Sequence, residues 1–185
     1  MFIQSEATPN PATLKFLPGQ PVLPEGALDL RDTEAAERSP LASALFSIKG
    51  VSGVFLGPDF ISVTKSDGEW QTLKPMVLGA ILEHYTSGQP ILREGAQAPA
   101  ADAEFFDPKD AEIVETIKEL LESRVRPAVA GDGGDITFRG FRDGIVYLEM
   151  KGSCSGCPSS TATLKNGVQN LMRHFLPEVV AVEQI

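Results

Sequence analysis

Cysteine is nearly absent. The 185 residues contain two, Cys154 and Cys157, and two histidines, His84 and His174. A secreted scaffold held by disulfides needs a higher density, so that class is excluded. Positive charge is in deficit: 16 Lys+Arg stand against 25 Asp+Glu, a net charge of -9. A chain this acidic does not hold nucleic acid by neutralising phosphates. It also has no basic amphipathic segment for an anionic membrane. Long apolar runs are missing too. The longest nearly apolar stretch, residues 76–82, falls far short of the roughly 20 residues that span a bilayer. What remains, 42% hydrophobic and 22% charged residues, is an ordinary globular composition and excludes wholesale disorder.

The first residues lack a basic region followed by an apolar one, as a secretory signal requires. Glu6 precedes any basic residue and the first arginine is Arg31, unlike an Arg-rich transit peptide. These features predict an intracellular protein, and the Met1 start favours a bacterial cytoplasm, with a mature mitochondrial matrix form as the second choice.

Complexity drops between residues 93 and 108, where large apolar side chains almost vanish. Arg93 is outnumbered there by Glu94, Asp102, Glu104 and Asp107, so acidity is densest in this stretch. Residues 93–107 are therefore read as a flexible linker between domains at 1–92 and 108–185. The fold class expected is α+β: two small domains of mixed helix and strand, joined by that linker.

In the first domain, strands are predicted at 13–17 and 27–30. A helix over 41–48 is announced by Ser39 as cap and Pro40 in the first turn. β-Branched runs at 51–56 and 60–64, around Gly57-Pro58-Asp59, read as a hairpin. A helix follows over 73–84, stopped by Gly88. The second domain opens with a helix carrying Ile113, Val114, Ile117, Leu120, Leu121 and Val125 at spacings of three and four, closed by Pro127. The run from Gly131 to Asp135 reads as a tight turn. Two strands meet at Asp143-Gly144, a hairpin signal. A helix carries Thr161, Leu164, Val168, Leu171 and Phe175, and a final strand is expected at 179–182. The order is α-β-β-α-β.

Both cysteines lie in Gly152-Ser153-Cys154-Ser155-Gly156-Cys157-Pro158, between a strand and a helix. A helix N-terminus facing two sulfurs favours thiolate over thiol. Three uses are open: a soft-metal site, either an iron–sulfur cluster or the zinc of a zinc-stabilised protein-interaction module; dithiol–disulfide redox chemistry; or an inert structural pair. A zinc site or an iron–sulfur cluster usually takes four ligands, and neither histidine has a zinc-site spacing to the pair. Two copies of the loop supply four thiolates. Thioredoxin-like motifs place the same pair in a βαβ unit, whereas a hairpin leads into it here. No phosphate loop, Ser-His-Asp set or paired-carboxylate site stands out.

Arg126-Pro127, Asp132-Gly133-Gly134-Asp135-Ile136, the cysteine loop and Thr163-Leu164-Lys165 together resemble the C-terminal domain of NifU, in the Nfu-type iron–sulfur scaffold family. Thr8-Pro9-Asn10-Pro11-Ala12-Thr13-Leu14-Lys15-Phe16 resembles the N-terminal domain of the two-domain members. Ser153 stands where many relatives carry alanine. The resemblance implies a cluster carrier rather than an enzyme. It implies a labile cluster, 4Fe–4S before 2Fe–2S, bridged between two subunits by Cys154 and Cys157 of each. It also implies transfer to apo iron–sulfur clients from an upstream donor, with no nucleic-acid or membrane partner. The cysteine-free first domain is expected to recognise clients or donors. The Gly-Asp turn is expected to be structural, and Lys151 and Lys165 to be surface residues able to soften the charge of a bound cluster.

Overall fold

A computed structural model describes residues 1–96, 103–155 and 158–185, without the side chains of 158–160. The chain divides into two units, Met1–Pro99 and Ala100–Ile185.

The first unit has five strands: β1 (Gln4–Ala7), β2 (Thr13–Leu17), β3 (Leu28–Leu30), β4 (Val51–Leu56) and β5 (Ile61–Lys65). Their order in the sheet is β1-β2-β5-β4-β3, every pair antiparallel. Its helices are α1 (Thr33–Ala36), α2 (Pro40–Phe46) and α3 (Trp70–Ser87). Asp32 caps α1 and Ser39 caps α2, each side chain accepting a free N–H of the first turn. Gly88, at φ 70°, ends α3 in the left-handed region. Phe16, Leu41, Leu45, Leu56, Ile61 and Ile81 are fully buried between sheet and helices.

Two elements here lie outside the sequence expectations. β1 reads Gln-Ser-Glu-Ala, with no apolar alternation, and is a strand because it pairs with β2 from Gln4↔Leu17 to Ala7↔Leu14. The helix α1 is a single turn held by its cap.

On the inner face of α3 lie Leu73, Val77, Ile81 and His84, all buried. The Nε2 atom of His84 has no hydrogen-bond partner among the described residues, and burial lowers the pKa of the ring below the usual histidine value. The unfolded chain therefore takes up this proton first as pH falls below about 6.5. Stability contributed by the neutral ring is full above that pH and is lost on acidification toward the lower folded-state value. Thermal unfolding of the full chain between pH 7.5 and 5.5 is expected to show this loss, and His84→Leu to flatten the curve. An unchanged slope in the variant refutes the assignment.

The second unit is a four-stranded sheet in the order β6-β7-β8-β9: β6 (Phe105–Phe106), β7 (Gly134–Arg142), β8 (Ile145–Gly152) and β9 (Ala181–Gln184). The outer pairs are parallel and the central hairpin is antiparallel. One 3₁₀ turn, Pro108–Asp110, precedes α4 (Ala111–Leu120), a π turn (Leu121–Val125) and α5 (Arg126–Gly131). The last helix is α6 (Pro158–Phe175). Ile136, Val146, Leu148 and Val182 of the sheet bury against Ile117, Val125, Val129, Val168 and Met172. The hairpin turns on Asp143 and Gly144, both at positive φ (52° and 75°), the geometry of a type I′ turn. The Gly144 carbonyl accepts from Val180 N–H at 2.7 Å and so seats the chain entering β9.

This unit has the expected α-β-β-α-β order, and the chain as a whole is α+β, with three departures in detail. Pro127 does not close the first helix. Arg126 N–H donates to the Leu121 carbonyl, five residues back, and the widened turn accommodates the proline at the start of α5. The final strand begins at Ala181 rather than 179, because Val179 N–H is tied to the Leu176 carbonyl in a turn. Of the stretch read as linker, residues 97–102 lie outside the described residues, while Phe105–Phe106 pairs with Gly140 and Phe141 of β7 as an edge strand.

Candidate metal centre

The chain leaves β8 at Gly152, φ 68°, and turns through Ser153, Cys154 and Ser155. Cys157 and Gly156 lie outside the described residues, and α6 starts at Pro158. Cys154 is gripped from three sides. Ser153 N–H donates to the Gly133 carbonyl at 3.3 Å, and its hydroxyl donates to the Asp132 carbonyl. Thr161, in the first turns of α6, donates its hydroxyl to the Cys154 carbonyl at 2.8 Å. Gly134, paired with Gly152 across the hairpin, lets the sulfur come close: a Cβ there would sit 2.9 Å from Cys154 Sγ and 2.6 Å from the Lys151 carbonyl oxygen.

The Gly-Asp turn is thus the seat of the cysteine loop. It is braced from behind by Arg126, whose Nε and Nη2 donate to the Asp135 carboxylate at 2.9 and 3.0 Å, and whose Nη1 reaches Glu122 at 2.6 Å. Asp135 also accepts Ile136 N–H at 2.8 Å. The bidentate pair ties the start of β7 to the start of α5.

Cys154 is 7% exposed and packs with the apolar core. Burial pushes its thiol up to about 11; the Ser153 hydroxyl works against the rise, and the Asp132 and Asp135 carboxylates add to it. A helix N-terminus was the reason to expect a thiolate. For Cys154 the expectation fails, because burial disfavours the charged form. A thiol held this way is a poor nucleophile at neutral pH, which disfavours dithiol redox chemistry started by Cys154. A soft metal ion, by contrast, deprotonates its own thiol ligand. The donor chemistry therefore fits iron or zinc.

Other donors are few. Among the described residues no three His, Cys, Asp or Glu side chains gather in a metal-holding group. His84 is buried in the first unit, and His174 stacks edge-on with Phe175 at the far end of α6. Lys151 pairs with Glu149 at 3.4 Å and Lys165 with Glu183 at 2.8 Å, so both lysines are engaged by carboxylates. Sequence reasoning named Cys154 but missed Ser153, Thr161 and Gly134 as its holders. Only the choice of a hydroxyl at Ser153 hinted at one of them. No helix among the described residues is long and apolar enough to cross a membrane.

Residues 3–88 match the family model described as scaffold protein Nfu/NifU N terminal, and residues 117–183 match the NifU-like domain. Over 187 aligned residues the chain is 50% identical to the human NFU1 iron-sulfur cluster scaffold homolog, mitochondrial. It is also 50% identical to NifU-like protein 4, mitochondrial, of Arabidopsis thaliana. In both, the whole of this chain is covered, and it spans 72% and 66% of the relatives' own lengths. A solution structure of a NifU-like protein from Saccharomyces cerevisiae superposes with a TM-score of 0.46 at 22% identity, over 51% of this chain and 86% of that one. The expectation of a bacterial cytoplasmic setting is overturned by the relatives, whose names are mitochondrial. It rests on the Met1 start and on the missing leader signals of the first residues, which bear on a leader only if a leader lies among them. Two family models in this order, and half-identity across the entire chain, settle the kinship: the chain belongs to the two-domain Nfu-type iron–sulfur scaffold family.

Proposed function

We propose that the chain carries an iron–sulfur cluster, 4Fe–4S, as cargo between the Cys154 and Cys157 loops of two copies, and delivers it to apo-proteins. The observation that carries this reading is the family kinship together with a donor pair of two cysteines in one loop. Among the described residues no three His, Cys, Asp or Glu side chains gather in a metal-holding group, and a cluster takes about four thiolates. Two loops complete the set. Delivery is ligand exchange: an incoming client thiolate bonds to iron as a cysteine of the carrier leaves and takes up a proton. A cluster shared between two chains is exposed to such attack at the seam.

The same reading gives residues 108–185 the cluster, residues 1–92 the recognition of clients or donors, and residues 93–107 the role of tether. The mitochondrial relatives support a mitochondrial setting.

Anaerobic reconstitution tests it, with iron and sulfide counted, Mössbauer spectra recorded and mass measured in the same buffer. The wild type is expected to become a dimer with about two irons per chain. Replacing Cys154 and Cys157 together by serine is expected to reduce bound iron to below about a tenth, since serine supplies no thiolate. A normal cluster in that variant sinks the ligand assignment. A loaded monomer with a full cluster and no external thiol sinks the bridge.

A further inference from the structure

Ser153 is 2% exposed, and its hydroxyl stands between two acceptors. It donates to the Asp132 carbonyl, and its oxygen lies 3.9 Å from Cys154 Sγ. A hydroxyl has one proton to give. With that proton on Asp132, the contact to sulfur is made by the thiol, S–H toward Oγ. The cysteine loop is thus tied to the Gly-Asp turn by this side chain as well as by the Ser153 N–H on the Gly133 carbonyl.

We propose that Ser153 is a positioning residue for the metal-binding thiolate, its hydroxyl passing from the Asp132 carbonyl to Cys154 Sγ when iron replaces the thiol proton. The inference rests on the carrier reading above. Iron bonds to sulfur, the S–H bond breaks and the proton leaves to solvent. Sulfur and Oγ then face each other with lone pairs only, at 3.9 Å. Rotation about the Cβ–Oγ bond restores a hydrogen bond, O–H toward sulfur, and frees the Asp132 carbonyl. Ser153 thus aims the sulfur in both states, and loading removes its side-chain bond to the turn while its N–H stays on the Gly133 carbonyl. Thr161 holds the same cysteine through its backbone carbonyl and does not share this exchange.

The test compares the reconstituted wild type, Ser153→Ala and Thr161→Val. Resonance Raman spectra in H2O and D2O report whether a hydroxyl donates to a cysteine sulfur on iron. Cluster loss to the chelator bipyridyl reports how firmly the loop holds. Ser153→Ala is expected to lose part of the isotope shift of the iron–sulfur stretch and to release iron about tenfold faster, the usual effect of losing a partner behind a metal ligand. Thr161→Val is expected to release faster with its isotope shift intact. An unchanged isotope shift and rate in Ser153→Ala overturn the proposal while leaving the carrier reading standing. A wild type that holds no cluster overturns the carrier reading instead.

A second measurement needs no variant. The Asp132 carbonyl ¹³C resonance of the full-length wild type, with and without Zn(II) as a diamagnetic stand-in, is expected to move upfield as its hydrogen bond is lost. A resonance that stays in place while zinc binds Cys154 overturns the exchange.

Discussion

Gly134→Ala is expected to unseat Cys154. The backbone conformation at 134 is not the obstacle, since it is not among the positive-φ glycines. Space is. The added carbon would lie 2.6 Å from the Lys151 carbonyl oxygen and 2.9 Å from Cys154 Sγ, both too close, and 3.3 Å from Cys154 N. The first neighbour is backbone inside the β7–β8 ladder and the second is the proposed ligand, so relief must open the hairpin or move the sulfur. Overpacking of this kind costs about 2 kcal/mol, or roughly 10 °C in melting temperature for a unit of this size. Bound iron after reconstitution is expected to fall about tenfold or more, because the sulfur leaves its aim. Gly167→Ala is the control. It lies in α6 with nothing within 4 Å of the added carbon, and is expected to raise stability slightly. Wild-type melting and iron content in Gly134→Ala refute the close-approach account.

Arg126→Met removes the brace of the same seat. Asp135 keeps Ile136 N–H but loses both guanidinium bonds, and its side chain is only 10% exposed. A buried carboxylate without its partner costs about 3 kcal/mol, somewhat over 10 °C in this unit. Adding Asp135→Asn to that variant is expected to recover part of the loss, since the amide oxygen still accepts Ile136 N–H and the stranded charge is gone. Thermal and urea melts of the wild type, the two single variants and the double variant measure the coupling. Strictly additive losses contradict a specific pair. Iron loading is expected to fall with stability, because Asp135 lies opposite Lys151 in the register that frames Gly134 and Gly152.

Much of the fold was legible because its signals are local. Ser39-Pro40 marks the start of α2, Gly88 the end of α3, and Asp143-Gly144 the central hairpin; each residue type imposes its geometry wherever it stands. The three–four stripe of α4 was equally readable, but its end was not. Pro127 stops a regular helix, and only a π turn, packed through Leu121 and Val125, lets the chain continue to Gly131. β1 was invisible for the opposite reason: its residues prefer nothing, and β2 made it a strand.

The sequence by itself determined the kinship and narrowed the chemistry. Two thiols three residues apart, and no other cysteine, leave a soft-metal site, redox chemistry or an inert pair open. The Gly-Asp motif and the Thr-Pro-Asn-Pro opening carry the family. What only the tertiary structure decided is the state of Cys154. Its thiol is buried and packed against Gly134, and its loop is held by Ser153 on Asp132 and by Thr161 on the Cys154 carbonyl, contacts spanning seven to twenty-one positions along the chain. Desolvation depends on everything that surrounds an atom, and a linear sequence does not list those neighbours. The helix expected after the loop predicted a thiolate; the packing around Cys154 favours the neutral thiol instead.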